Sequence, residues 1–201
     1  MKYLFIDTET TGLSTKDEVI QFAALVTDEQ FRLVGLENFY CDTVYPISEG
    51  AAKVNKLSTE IIHNFSKGLF FEDQFPAFVK EVGNDVCWIE WSKNGFDMRM
   101  INQTLAKCGQ PKYDFGKQLV DYREATTGVC NFNLMHAIGN KFYGGGVRKL
   151  EVATKDLLKI SKEKIDEVYN SKIKRFSIET GAHNADYDAF LCYLLFTNCL
   201  V

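Results

Sequence analysis

Near its start the chain reads Phe5-Ile6-Asp7-Thr8-Glu9-Thr10-Thr11-Gly12-Leu13, an apolar run that ends in two closely spaced acids. Residues 2–7 are predicted to form a buried strand that ends on a carboxylate. Because alternate side chains of a strand point to one face, Asp7 and Glu9 would face the same point in space. Two like charges there repel each other unless a divalent cation lies between them. The Asp-x-Glu triplet is common, and taken alone it is more often a solvated strand end.

Two further acids and a histidine stand in matching contexts. Asp97 is predicted in the first turn of a helix over 94–108, which directly follows a predicted strand. Asp188 lies within a predicted helix over 184–198, on a face where a lone charge is costly. His183 precedes Asp188 by five residues and has the chemistry of a general base. Two of the three also have an ordinary explanation: Asp97 as a helix-dipole partner and His183 as a residue with a satisfied hydrogen bond.

Together the three motifs resemble those of the DEDDh (DnaQ-like) 3′–5′ exonucleases, which have the ribonuclease H-like fold. The motifs stand as Phe5 to Leu13, Asn94-Gly95-Phe96-Asp97 and His183-Asn184-Ala185-Asp186-Tyr187-Asp188-Ala189. They run from residue 5 to residue 189, so the resemblance covers nearly the whole chain. It implies a single 3′–5′ exonuclease domain over residues 1–201, of the α/β class, with a mixed β-sheet of about five strands flanked by α-helices.

The resemblance also implies the chemistry of the site. Two Mg²⁺ or Mn²⁺ ions, about 4 Å apart, would be held by four carboxylates. These are Asp7, Glu9, Asp97 and Asp188. His183 would take the proton of the attacking water, which completes the catalytic set. A nucleoside 5′-monophosphate would leave the 3′ end of a single strand, with DNA favoured and RNA also compatible, because sugar preference depends on contacts to the 2′ position.

Substrate contacts are expected from the same resemblance. The backbone amides around Thr10 should meet the 3′-terminal nucleotide, and Asn94 should help to hold a phosphate. Leu13 should pack against the terminal bases, although an ordinary core position is an equal alternative for it.

The chain departs from the family pattern at two places. Many members have His-Asn where this chain has Lys93-Asn94, so Lys93 either contacts phosphate or is solvated. The common His-Gly-Ile is replaced by Asn55-Lys56-Leu57, which affects recognition of the terminal base and not the metal chemistry. Asp186, near the third motif, is assigned to the surface because it lies three residues from His183 rather than five.

Composition excludes several classes of protein. The chain has 201 residues, 46% of them apolar and 25% charged, and a formal net charge of -4, so disorder and bulk electrostatic coating of duplex DNA are not expected. No apolar run reaches the roughly 18 residues that span a bilayer. The six cysteines form no CxxC pair, which favours reduced, mostly buried thiols and a cytoplasmic protein.

The remaining pattern predicts a few more elements and one basic region. Strands are expected over 19–27, 31–40 and 86–91, and a helix over 71–82. Residues 141–175 carry 10 basic and 5 acidic side chains, more often a solvated helix face than a phosphate-binding surface.

Other functions stay open at this stage. A catalytically silent nucleic-acid-binding or adaptor domain would keep the fold but lack an acid or His183, and none is missing. A small-nucleotide phosphohydrolase is a third alternative, which the basic region weakly disfavours. A polymerase partner is not indicated, since no tethering tail is expected after Val201, and no apolar stripe predicts an oligomeric state.

Overall fold

A six-stranded mixed sheet forms the centre of the described part of the chain, which comprises residues 1–173 and 185–201 of the computed structural model. The strands are β1 (Lys2–Thr10), β2 (Val19–Thr27), β3 (Leu33–Tyr40), β4 (Val86–Glu90), β5 (Lys117–Leu119) and β6 (Val129–Asn133), in the order β3-β2-β1-β4-β6-β5. The first three strands pair antiparallel, whereas β4, β5 and β6 continue the sheet in parallel. The α/β class and the mixed sheet are therefore confirmed, with six strands where about five were expected.

Eight α-helices cover the sheet in the described residues. They are α1 (Glu49–Asn55), α2 (Thr59–Ser66), α3 (Phe71–Val82), α4 (Phe96–Lys107), α5 (Leu134–Phe142), α6 (Leu150–Leu158), α7 (Lys162–Lys172) and α8 (Ala185–Cys199). None of the helices in these two ranges has the length and apolar character needed to cross a bilayer.

Most of the predicted elements lie where the sequence placed them. Both β2 and α3 have the predicted bounds, and β1 continues three residues beyond Asp7. β3 begins at Leu33 instead of Phe31, because Phe31 has a positive φ of 58° and closes a turn onto Asp28. β4 ends at Glu90, one residue before the predicted end.

The predicted helix over 94–108 begins later, at Phe96. Asn94 and Gly95 both have left-handed backbone conformations, with φ of 63° and 66°, and these cannot continue into a right-handed helix. Asp97 nevertheless lies in the first turn, as predicted, and its side chain is buried.

Side chains of β1 point alternately to the two faces of the sheet, and this determines which helix each acid faces. Leu4 and Ile6 belong to the apolar cluster under α3 and α4, whereas Phe5 packs on the opposite face against Phe196 of α8, with ring centroids 5.2 Å apart. Since side chains alternate, Asp7 continues the face of Phe5 and so points toward α8. The core on both sides of β1 thus fixes the direction of the acids at its end.

The thiols lie as predicted, and the described lysines of the basic region are exposed. All six cysteines, each within the described ranges, are free, and four of them are buried. Among the described residues of 141–175, α6 and α7 expose most of their lysines, which agrees equally with a solvated helix face and with a phosphate-binding surface.

Candidate active site

Three acids from two distant parts of the chain converge at one edge of the sheet. Asp7 and Glu9 come from the last part of β1, and Asp188 comes from the first turn of α8. Each offers a carboxylate oxygen, and these oxygens lie within 4.8 Å of one another. The prediction that residues 7 and 9 face one point is confirmed, and α8, which packs across β1, brings Asp188 to that point.

Asp97 joins this group from the other side of β1. Its Oδ1 accepts hydrogen bonds from the backbone N–H of Thr8, at 3.1 Å, and from the Thr8 hydroxyl, at 2.7 Å. Thr8 lies between Asp7 and Glu9 and points to the opposite face, so it ties the helix acid to the same strand. Asp97 is only 3% exposed, and its charge acts on all three other acids. We call these four residues the carboxylate cluster.

The cluster is electrostatically unfavourable when every member is ionised. Loss of hydration, followed by repulsion from the other acids, raises the pKa of Asp7 well above its usual value and that of Glu9 to about 8. Burial and the charge of Glu90 raise the pKa of Asp97 to about 8. Burial, with Glu151 and Asp97 next, raises the pKa of Asp188 to about 7. Without a counter-ion, the cluster therefore holds protons near neutral pH.

The donor set fits divalent cations. Carboxylate oxygens are the hard ligands that Mg²⁺ and Mn²⁺ prefer, and the cluster contains no thiolate or imidazole among its described members. A bound cation would reverse the pKa shifts, because it stabilises the ionised form of each acid. The cluster is therefore suited to hold Mg²⁺ or Mn²⁺.

His183 and Asn184 lie outside the residues that the structure describes. The predicted general base thus stays a prediction, two positions before the first described residue of α8. The other two histidines, His63 and His136, are exposed away from the cluster, and Nδ1 of His63 lies 3.0 Å from Oδ2 of Asp42.

The expected substrate contacts differ in their exposure. Leu13 is 79% exposed, so the core alternative for it is wrong. Lys93 and Asn94 are exposed in the turn before α4. Thr10 is buried and its hydroxyl donates to the carbonyl of Gly12 at 2.8 Å, so its side chain shapes the loop. The next amide, of Thr11, already donates to the carbonyl of Glu18.

Asn55, noted in the sequence only as a departure, supports the carboxylate cluster. It is 2% exposed, its Nδ2 donates to the carbonyl of Thr10 at 3.3 Å, and its Oδ1 accepts from the N–H of Leu57 at 3.0 Å. A hydrogen bond from the Asn55 side chain to Glu9 partly offsets the rise in the pKa of that acid. No periodicity signals this role, since it depends on how α1 folds back over β1.

The surface assignment of Asp186 is wrong. Asp186 is fully buried at the start of α8, where its Oδ2 accepts a hydrogen bond from the hydroxyl of Tyr169 on α7. The spacing from His183 carried no information about α7, the helix that packs against Asp186. Burial raises the pKa of Asp186.

A cavity of about 530 Å³ adjoins the cluster at Asp188. It lies between α6, α7 and α8, and its apolar part includes Ile165 and Leu191. Lys155 and Lys162, from the basic region, are exposed and also line it. Two cationic side chains and the acid Glu151 therefore border the space beside the cluster.

Comparison with known proteins gives one family and one fold. The family model for RNase T exonucleases matches residues 4–137, which include Asp7, Glu9 and Asp97 but not Asp188. A PolC-type DNA polymerase III of Ureaplasma parvum serovar 3 is 28% identical over 108 residues, which are 53% of this chain and 7% of the polymerase.

Several solved structures of exonuclease I share the fold. The zinc-bound complex of the Escherichia coli enzyme with single-stranded DNA has a TM-score of 0.67 at 19% identity, covering 98% of this chain and 40% of that one. A complex of the same enzyme with a dA16 oligonucleotide has a TM-score of 0.67 at 19% identity, covering 98% of this chain and 41% of that one. A product-bound exonuclease I has a TM-score of 0.63 at 20% identity, covering 98% of this chain and 43% of that one. The chain thus spans less than half of each of these exonuclease I chains.

Proposed function

The chain belongs to the RNase T exonuclease family, and we propose that it is a metal-dependent 3′–5′ exonuclease acting on single-stranded nucleic acid, with DNA favoured. One observation carries the proposal. Asp7, Glu9 and Asp188, from opposite ends of the chain, place carboxylate oxygens within 4.8 Å of one another, and Thr8 ties Asp97 to the same strand. Repulsion among buried carboxylates lowers the stability of the fold, so stability does not explain the cluster. A site for divalent cations does explain it, because such a site needs several carboxylates close together.

The residues of the chain would divide the reaction among them. The four carboxylates would hold two divalent cations, which when bound would supply Lewis-acid stabilisation of the charge that develops on the phosphodiester. Thr8 and Asn55 hold Asp97 and Glu9 in the orientation that binding needs. A ring nitrogen of His183 accepts the proton of the attacking water. The water oxygen bonds to phosphorus while the bond between phosphorus and the 3′ oxygen breaks. That oxygen takes a proton from solvent and stays on the shortened strand as its new 3′ hydroxyl, and the terminal nucleoside 5′-monophosphate leaves.

Two features support a polymeric substrate. Lys155 and Lys162 border the cavity beside Asp188, where they would attract the phosphates of a strand. Leu13 is exposed on the loop after β1 and offers an apolar surface to a terminal base. Exonuclease I, which shares the fold, is known in complexes with single-stranded DNA oligonucleotides.

A substrate panel with product analysis tests the proposal. Single-stranded DNA, RNA of the same sequence, and a p-nitrophenyl ester of thymidine 5′-phosphate are each incubated with the protein and Mn²⁺. We expect 5′-mononucleotides from the polymers, most rapidly from DNA. Hydrolysis of the ester alone would instead identify a small-nucleotide phosphohydrolase, and no hydrolysis with retained DNA binding would identify a silent binding domain.

A further inference from the structure

A fifth acid, Glu90, lies inside the fold next to the carboxylate cluster. It is the last residue of β4, in parallel register with Ile6, the residue before Asp7. It is 2% exposed and ends an otherwise apolar strand. A buried carboxylate is costly unless hydrogen bonds satisfy it, so the partners of Glu90 indicate why it is there.

The partners of Glu90 are the unsatisfied donors of the first turn of α4. Its Oε2 accepts from the backbone N–H of Met98 at 3.4 Å, and its carboxylate also accepts from the N–H of Asp97 and from the Ser92 hydroxyl. Ser92 Oγ in turn accepts from the N–H of Phe96 at 2.8 Å. The N-cap residue, Gly95, has no side chain with which to cap these N–H groups. Glu90 and Ser92 thus satisfy the N–H groups that a helix leaves unpaired at its start.

This arrangement fixes the backbone of Asp97 as well as its side chain. Asp97 is the second residue of α4, so fraying of that turn would move its carboxylate away from β1. Thr8 holds the carboxylate, and Glu90 holds the backbone N–H of the same residue. The two contacts come from neighbouring strands, β1 and β4. Asp97 is therefore held from two sides.

We propose that Glu90 is a positioning residue, which caps α4 from the end of β4 and thereby holds Asp97 in place for divalent-cation binding. The inference rests on the proposed metal site.

Cation binding by two Glu90 variants separates this role from a merely structural one. Mn²⁺ is titrated by calorimetry into the full chain carrying Glu90→Leu or Glu90→Gln, without nucleic acid. Loss of a group that orients a metal ligand typically weakens metal binding by about 10–100-fold, which we expect for Glu90→Leu. Glu90→Gln keeps an oxygen that accepts from the α4 amides, so its affinity should stay within about 10-fold of the wild type. In hydrolysis assays, the Leu variant should lose kcat with little change in KM.

A carboxylate far from the cluster, Glu37, supplies the control for the Glu90 variants. Glu37→Leu removes a partly buried carboxylate from β3, away from the cluster, and should bind Mn²⁺ as the wild type does. Wild-type Mn²⁺ affinity in Glu90→Leu, or equal loss in Glu90→Leu and Glu90→Gln, would overturn the positioning role. If the wild type binds Mn²⁺ but hydrolyses no nucleic acid, the proposed function fails while the Glu90 result still stands by itself.

Discussion

Single residues of the carboxylate cluster show how a sequence motif becomes a strained electrostatic site. Asp7 and Glu9 were predictable because the two-residue repeat of a strand requires them to face the same way. Asp97 and Asp188 were predictable from their motifs. Asn55 and Glu90 were not, because their partners are backbone groups of β1 and α4 that only folding brings near. The acids of the cluster can thus be predicted from motifs, whereas the groups that hold them in place cannot.

The pH dependence of stability follows from the shifted acids. Glu9 has a pKa of about 8 in the folded protein, above its unfolded value of about 4.3, and Asp97 and Asp188 are shifted in the same direction. Between these values the folded state binds more protons than the unfolded state, so stability falls as pH rises. We expect the Tm in EDTA to fall from pH 5.5 to pH 8, and Mg²⁺ to raise it again at pH 8.

Glu9→Gln gives the matched comparison for this prediction. It removes one titrating acid from the cluster, so its Tm in EDTA should depend less on pH than that of the wild type. Thermal unfolding followed by circular dichroism measures both proteins. A metal-free Tm that stays constant across this pH range would show that the cluster is not electrostatically strained.

Asn55 should affect the cluster through Glu9. Asn55→Ala removes the hydrogen bond that favours the ionised form, so the pKa of Glu9 rises further and cations compete less well with protons. We expect kcat/KM to fall about 10–100-fold, with the largest loss at the lowest pH. The measurement is hydrolysis of single-stranded DNA from pH 6.5 to pH 9. Asn140→Ala, on an exposed position of α5, is the control, and a loss independent of pH would contradict the link to Glu9.

At the scale of elements, apolar periodicity predicted the strands and helices that are buried in the core and missed those that are exposed or very short. β2 and α3 are buried along clear apolar repeats and lie where predicted. α7 is mostly charged and leaves little periodic signal, and β5 has only three residues. The start of α4 was misplaced because Asn94, a residue tolerated in a helix, has a left-handed backbone here.

The helices of the basic region carry a prediction of their own. Lys155 and Lys162, from α6 and α7, border the cavity beside Asp188 and should each neutralise a phosphate of the bound strand. The double variant Lys155→Ala/Lys162→Ala should bind single-stranded DNA more weakly, with a salt slope smaller by about 0.7 for each lost contact. Fluorescence anisotropy at several salt concentrations, in the Asp7→Asn background to prevent hydrolysis, measures this slope.

A matched pair of lysines controls for net charge. Lys67 and Lys80 are exposed at the end of α2 and on α3 and are absent from the lining of this cavity. Replacing both with alanine changes the net charge equally and should leave the salt slope unchanged. Equal slopes for the two double variants would show that the cavity lysines contact no phosphate.

At the scale of the whole molecule, the sheet brings together motifs that are far apart in the sequence. The parallel pairing of β1 with β4 places the start of α4 beside β1, and α8 packs against β1 and β2 from the other face. The fold class could be predicted because these motifs imply it, and the family match agrees. That residues 1–201 form a single domain, and that His183 is the base, stay predictions.

The most direct test of the account is the hydrolysis of 5′-labelled single-stranded DNA by the wild type and by Asp7→Asn, in Mg²⁺ and in EDTA. Asp7→Asn replaces one acid with a neutral residue of the same shape, so the fold should persist, which circular dichroism checks. We predict labelled products that shorten step by step from the 3′ end, only with the wild type and only with Mg²⁺. The same products from Asp7→Asn, or from the wild type in EDTA, would contradict a metal-dependent site built on the carboxylate cluster.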